Sequence, residues 1–180
     1  MKITIFYSWQ STTGGRYNRN FINDCIEGAI TKIKKNPDFQ NIHFEIQEGV
    51  TGESGSVAVA SVITDKRIPN CDIFIADLSV INWVPGWKKY LKNIIGDKYK
   101  PHQNNNVILE YGVAVNSLGV ERIIGILNNK FGSPNENQDN IPFDIRHLRF
   151  PIEYSYFSEN ENKKSEIKKQ LISDANSVLS

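Results

Sequence analysis

The chain lacks several features that would point directly to a function. It has two cysteines, Cys25 and Cys71, and three widely separated histidines, so we expect neither a disulfide framework nor a zinc site. Its formal net charge is +1, which gives no electrostatic reason to expect nucleic acid as a partner. No apolar run approaches the roughly 18 residues of a membrane span. We therefore expect no membrane association and a cytoplasmic location.

Three motifs of well-known enzyme classes are also missing from the sequence. There is no GxxxxGK[ST] phosphate-binding loop, and no GxGxxG follows the first predicted strand. The GxSxG turn that carries a nucleophilic serine is absent as well. Any nucleotide or acyl site in this chain must therefore be built from other residues.

The composition is that of an ordinary folded protein. Of the 180 residues, 39% are hydrophobic and 23% are charged, which is neither disordered nor fibrous. This length favours one domain over residues 1–180. Residues 79–105 interrupt the regular pattern with several tryptophans, tyrosines and lysines, and we interpret them as an aromatic insert.

Hydrophobic patterning predicts alternating strands and helices. Strands are expected at 2–9, 42–47, 71–78, 122–127 and 150–154, and helices at 17–35, 56–67, 106–118 and 159–179. Such alternation is typical of a three-layer, flavodoxin-like α/β fold with helices on both faces of the sheet. We expect five strands in a mainly parallel sheet.

Ligands of an open parallel sheet bind at the carboxyl ends of its strands, so the residues that follow each strand are the candidate site. This edge of the sheet is called the rim below. The rim is predicted to gather hydroxyl, amide, carboxylate, arginine and aromatic side chains. They are Ser8, Trp9, Gln10, Ser11 and Arg16 after the first strand, residues 48–56 after the second, and Asp77, Ser79, Asn82 and Trp83 after the third.

One carboxylate stands out in the predicted helix at residues 106–118. Glu110 interrupts a nearly continuous apolar sequence one turn into this helix, whose first turn, with Asn106, opens at the rim. An ionised carboxylate beside apolar surface is costly unless it has a partner or a task. Glu110 is either a catalytic group or an exposed residue that the helix dipole favours near the N-terminus.

The residues expected at the rim suit a nucleotide. Aromatic faces can stack on a base or a nicotinamide ring, and helix N-termini together with Arg16 can hold phosphate. Cleavage of an N-glycosidic bond passes through an oxocarbenium-like transition state, which a nearby carboxylate stabilises. One carboxylate suffices when the leaving group is already good.

Four segments give the chain a resemblance to bacterial TIR domains, in particular to the NAD-cleaving branch found in antiviral defence. They are FYSWQS at 6–11, CDIFIADLS at 71–79, NNNVILEYGVAV at 104–115 and IPFDIRHLRFPIEYS at 141–155. The third segment is similar to the helix that carries the catalytic glutamate of these domains. Together the segments span nearly the whole chain.

This resemblance implies a specific activity. Glu110 would be catalytic, and Tyr7, Ser8 and Trp9 would line a pocket for NAD, which is the substrate rather than a cofactor. The products would be nicotinamide and ADP-ribose, linear or cyclic. Residues 48–56 would form the loop that gates the site and mediates self-association, so activity would need assembly. A separate sensor or effector protein is a further expected partner.

Two other functions stay open on the sequence. A non-catalytic TIR adaptor would act by self-association alone, and a nucleoside deoxyribosyltransferase would use a similar sheet with an acidic nucleophile. Several site residues also have simpler interpretations. Trp9 suits the core equally well, Arg16 suits a solvated loop, Asp77 suits a turn cap, and Trp83 suits packing of the insert.

Overall fold

The computed structural model describes residues 1–49, 60–82, 88, 102–133, 151–157 and 161–179. Its strands are β1 (Lys2–Ser8), β2 (His43–Glu48), β3 (Ile73–Asp77), β4 (Ile123–Asn128) and β5 (Ile152–Tyr154). Its helices are α1 (Arg19–Ile33), α2 (Asn105–Leu118) and α3 (Glu161–Leu179), with a π-helical segment at Val62–Arg67. Each predicted strand and helix has a counterpart among the described residues, and the ends that are described differ from the prediction by a few residues.

The five strands form one sheet in the order β2-β1-β3-β4-β5, and all four pairings are parallel. The predicted flavodoxin-like, three-layer α/β fold is therefore confirmed. From β1 the chain passes first to β2 on one side and then to β3 on the other. The strand order thus reverses between β1 and β3, and ligands of such sheets bind in the crevice at that point.

Each face of the sheet has its own hydrophobic core. Phe6, Phe74 and Leu127 pack against α2 on one face, where Val107, Tyr111 and Ala114 form the buried stripe of the helix. On the other face Ile5, Tyr7 and Ile124 pack with residues of α1 and α3. Because neighbouring strand residues point to opposite faces, the side chains of β1 alternate between the two cores. No helix among the described residues is long and apolar enough to cross a bilayer.

The two cysteines lie in different cores. Cys25 is buried on the α1 side and Cys71 on the α2 side, so the sheet separates the two thiols. Burial raises the pKa of Cys25 to about 12 and that of Cys71 to about 11. Both thiols are therefore protonated at neutral pH and poor nucleophiles, as expected of small buried residues.

Helices α1 and α3 approach closely at Gly28. A Cβ atom built on Gly28 would lie 2.5 Å from Cδ1 and 3.0 Å from Cγ1 of Ile172. The absence of a side chain on Gly28 thus allows α3 to pack over α1 and to close the core on this face. By contrast, a Cβ on Gly112 of α2 would meet nothing within 4 Å.

This difference predicts opposite effects for the same substitution. Alanine favours a helix interior over glycine by about 1 kcal/mol. We expect Gly112→Ala to raise the free energy of unfolding by about 0.5–1 kcal/mol and Gly28→Ala to lower it by about 1 kcal/mol, because Ile172 must move. Urea denaturation of the two variants measures both changes. Equal stabilisation by both would contradict the close helix contact.

The two described ends of the aromatic insert, residues 79–82 and 102–105, are joined by hydrogen bonds. The backbone N–H of Ile81 donates to the carbonyl of His102 at 3.0 Å, and the N–H of His102 donates to Oδ1 of Asn82 at 3.0 Å. Two residues later Asn104 caps α2 by accepting from the N–H groups of Asn106 and Val107. These contacts fix the start of α2, and with it the position of Glu110 one turn into the helix.

Candidate functional site

The site is built around one hydrogen bond between β1 and α2. Ser8 is the last residue of β1, and its Oγ donates to Oε2 of Glu110 at 2.6 Å. Along β1, Phe6 belongs to the core that α2 covers and Tyr7 to the other, so alternation places Ser8 on the α2 face. The structure therefore brings Glu110 to the carboxyl end of β1, beside the crevice between β1 and β3.

The environment of Glu110 favours its protonated form. The residue is partly buried, and this burial raises the pKa of its carboxyl, while the hydrogen bond from Ser8 partly opposes the rise. No charged side chain is among the causes of the shift. Ionisation of Glu110 therefore costs more free energy than ionisation of an exposed glutamate. Carboxyl groups whose pKa is raised in this way are frequent at functional sites.

The raised pKa of Glu110 makes stability depend on pH. The folded state binds a proton at Glu110 more tightly than the unfolded chain does, so stability falls as pH rises from about 4.5 to the raised pKa. We expect Glu110→Gln to remove this loss of stability. The loss amounts to about 1.4 kcal/mol for each pH unit between the pKa of Glu110 in the unfolded chain and its pKa in the folded protein. The gain over wild type should grow with pH across that window and then level off. Urea denaturation at several pH values tests this, and a gain independent of pH would contradict it.

Two other predicted residues, Asn106 and Tyr7, differ in their position relative to this hydrogen bond. Asn106 is exposed and lies four residues before Glu110, one turn earlier on the same side of α2. Tyr7 is fully buried on the opposite face of the sheet, where its hydroxyl donates to the carbonyl of Arg19 at 3.5 Å. Asn106 is therefore placed near Glu110, whereas the structure does not bring Tyr7 to it.

Trp9 contacts Arg19, a residue that the sequence analysis did not name as a candidate. The guanidinium of Arg19, the first residue of α1, lies 3.6 Å from the centre of the Trp9 ring, as a cation–π contact. The same guanidinium donates to Oε2 of Glu48 at 2.5 Å. Trp9, Arg19 and Glu48 thus form a stack that joins the ends of β1 and β2 to α1.

Asp77 and Ser79 lie in a buried polar network under the rim. Nδ2 of Asn18 donates to both oxygens of Asp77 and to Oγ of Ser79, and the N–H of Ser79 donates to Oδ1 of Asp77. Asn128 joins through its N–H, which donates to Oγ of Ser79 at 2.9 Å, and its Nδ2, which donates to Oδ1 of Asn18 at 3.2 Å. Burial raises the pKa of Asp77, and these donors oppose the rise. All four residues are fully buried, so the network ties the strand ends together and presents no surface to a ligand.

The remaining predicted residues are spread around the loop after β1. Gln10 is buried and organises this loop, since its Oε1 accepts from the N–H groups of Thr12 and Thr13. Ser11 and Arg16 are exposed. Trp83 and most of the predicted gating loop (50–56) lie outside the described residues. Of the predicted set, the structure therefore brings together Ser8 and Glu110, with Asn106 one turn earlier on α2.

Sequence reasoning missed Arg19, Asn18 and Asn128. Asn128 ends β4 as Ser8 ends β1, so the rule that selected Ser8 would also have selected it. Asn18 precedes α1 as an N-cap residue would, but its side chain makes no cap hydrogen bond and binds Asp77 and Ser79 instead. Arg19 could not be preferred to Arg16 before the exact start of α1 was known.

No protein-family model matches the chain, and no curated protein matches it in sequence. The fold and the geometry around Glu110 are therefore what bear on its function.

Proposed function

We propose that the protein is a TIR-type NAD nucleosidase, which cleaves the bond between nicotinamide and ribose. The observation that carries the proposal is the partly buried carboxylate of Glu110, held by Ser8 at the carboxyl end of β1. Its place beside the crevice between β1 and β3 is where ligands of this fold class bind. The resemblance of residues 104–115 to the glutamate helix of NAD-cleaving TIR domains supports the same activity.

Cleavage of the bond between nicotinamide and ribose requires one negative charge near the ribose. As the C1′–N bond breaks, its electron pair goes to nicotinamide, which leaves as a neutral molecule, and positive charge develops on the ribose. Ionised Glu110 stabilises this charge, or hydrogen-bonds the ribose hydroxyls. Water then adds at C1′ and loses a proton, which gives ADP-ribose. Attack by a nitrogen of the adenine instead gives a cyclic product.

The partial burial of Glu110 suits this task. A charge at reduced solvent exposure interacts more strongly with a developing cation than it would in water. The substrate needs no second acid, because nicotinamide in NAD is already cationic and leaves readily. One carboxylate with a neutral hydrogen-bond donor therefore suffices for the proposed reaction.

The proposal extends to the biological setting by resemblance. TIR domains of this kind act in the cytoplasm of bacteria in defence against phage, with a partner protein as sensor or effector. They complete the site with a loop from a neighbouring copy, so activity is expected on assembly. Here the loop in question begins at Glu48, which is bound by Arg19 of the Trp9 stack.

The experiment is incubation of the concentrated wild-type protein with NAD, with and without a crowding agent, and chromatography of the products. We expect release of nicotinamide together with linear or cyclic ADP-ribose. NADH is the matched control substrate, because its dihydronicotinamide is uncharged and a poor leaving group. It should stay intact under the same conditions.

Two outcomes would favour the other functions. Exchange of bases on deoxynucleosides without turnover of NAD would indicate a deoxyribosyltransferase. Concentration-dependent self-association without any product from NAD, even under crowding, would indicate a non-catalytic adaptor. Either result would overturn the proposed nucleosidase.

A further inference from the structure

Ser8 is the one described side chain that hydrogen-bonds Glu110, and it is almost completely buried, at 2% exposure. Its Oγ lies 2.6 Å from Oε2 of Glu110, a short distance of the kind found when a hydroxyl donates to a carboxylate. This contact joins residues 102 positions apart in the chain. It is therefore a product of the fold rather than of local sequence.

Ser8 and Glu110 both lie on regular elements that pack in the interior of the fold. In the sheet, β1 is hydrogen-bonded on both sides, with Ser8 opposite Ala76 of β3 and the neighbouring Tyr7 opposite Glu48 of β2. One turn of α2 beyond Glu110, Ala114 is buried against the same sheet. A donor on a central strand and an acceptor on a packed helix hold a fixed geometry better than loop residues do.

The bond has two consequences for the carboxylate. It engages Oε2 and leaves Oε1 as the oxygen that can face a ligand. It also favours the ionised form of Glu110, because a hydroxyl donor stabilises a carboxylate more than a carboxylic acid. Burial acts in the opposite direction, and the described residues of β1, β3 and α2 place no charged group that adds to either effect.

We propose that Ser8 is a positioning residue, whose hydroxyl holds Oε2 of Glu110, orients Oε1 towards the substrate and stabilises the carboxylate form. The inference rests on the proposed NAD cleavage for its catalytic meaning. The control that Ser8 exerts on Glu110 can be measured without any activity. In this proposal Ser8 acts through its contact with Glu110.

Ser8→Ala tests the proposal in the assembled protein. We expect kcat for NAD to fall about tenfold or more, with a smaller change in KM, because a hydrogen bond to a charged group is lost. Without the donor the pKa of Glu110 rises, so the acidic limb of the pH–rate profile should move to higher pH. Ser8→Thr keeps the hydroxyl and should restore the position of that limb.

Ser133→Ala is the matched control. Oγ of Ser133 donates to Oε2 of Glu153 at 3.1 Å, so the variant removes the same type of bond from a different carboxylate. Ser133 is also buried, at 5% exposure. We expect this variant to leave kcat and the acidic limb at their wild-type values. Equal effects in Ser8→Ala and Ser133→Ala would reduce Ser8 to a structural role and overturn the proposal.

An NMR titration separates this inference from the proposed function. The carboxyl carbon of Glu110, labelled with ¹³C and assigned by its loss in Glu110→Gln, reports the pKa directly. A higher pKa in Ser8→Ala than in wild type is expected. An unchanged pKa would overturn the proposal even in an active enzyme, whereas a raised pKa in a protein that does not cleave NAD would refute the nucleosidase alone.

Discussion

Glu110→Gln is expected to lower the turnover of NAD by about 10²–10³-fold, with little change in KM. Removal of one preorganised group that stabilises transition-state charge typically costs this much. Glutamine keeps the size of the side chain and can still bond to Ser8, but it carries no negative charge for the developing oxocarbenium. The measurement is the initial rate of nicotinamide release at saturating NAD.

Glu121→Gln provides the control for this substitution. Glu121 is an exposed carboxylate just beyond the C-terminal end of α2, the same helix that carries Glu110. The change removes one charge at the surface and should leave the rate at the wild-type level. Because Glu110→Gln also relieves the cost of a partly buried carboxylate, the inactive variant should be at least as stable as wild type at neutral pH. More than half of the wild-type rate in Glu110→Gln would exclude Glu110 from the chemistry.

Asn128→Ala is expected to lower the free energy of unfolding by about 3 kcal/mol or more. The side chain of Asn128 is fully buried, and its Nδ2 donates to the carbonyl of Tyr156 at 2.8 Å and to Oδ1 of Asn18. Its Oδ1 accepts from the N–H of Tyr156 at 3.2 Å. Alanine leaves these buried groups without a partner, and each costs about 1–3 kcal/mol.

The neighbouring Asn129 gives a matched comparison. It is only partly buried, and its Nδ2 makes one long hydrogen bond of 3.3 Å, to Oε2 of Glu153. We expect Asn129→Ala to cost less than about 1 kcal/mol in the same urea denaturation. A difference of under 0.5 kcal/mol between the two variants would show that the buried network contributes nothing particular to stability.

The fold was predictable because the strands carry strong local signals. The apolar segments at β3 and β4 are typical of strands covered on both faces, and their spacing leaves room for helices between them. The same reasoning placed Glu110 at the carboxyl end of β1, since it needs only the direction of the strands and the start of α2. Alternation along β1 puts Tyr7 and Ser8 on opposite faces of the sheet, so the two could not both lie beside Glu110 as predicted.

The partners of the polar side chains were not predictable in this way. Asp77 and Asn128 each end a strand as Ser8 does, and Ser79 follows the end of β3 by two residues. Unlike Ser8, these three residues are joined in one buried network under the rim. Their pairing depends on contacts between residues 49–110 positions apart, and the sequence contains no local signal for it. The stack of Trp9 on Arg19 likewise depends on where α1 starts, to within a residue.

The hydrogen bonds between Ile81, Asn82 and His102 allow the chain between residues 82 and 102 to change without displacing α2. They close the chain at the base of the insert, so its two ends are fixed whatever lies between them. The entropy of closing a loop grows only with the logarithm of its length, about 0.6 kcal/mol for each doubling. We therefore expect insertion, deletion or exchange between residues 82 and 102 to leave the helix that carries Glu110 in its place.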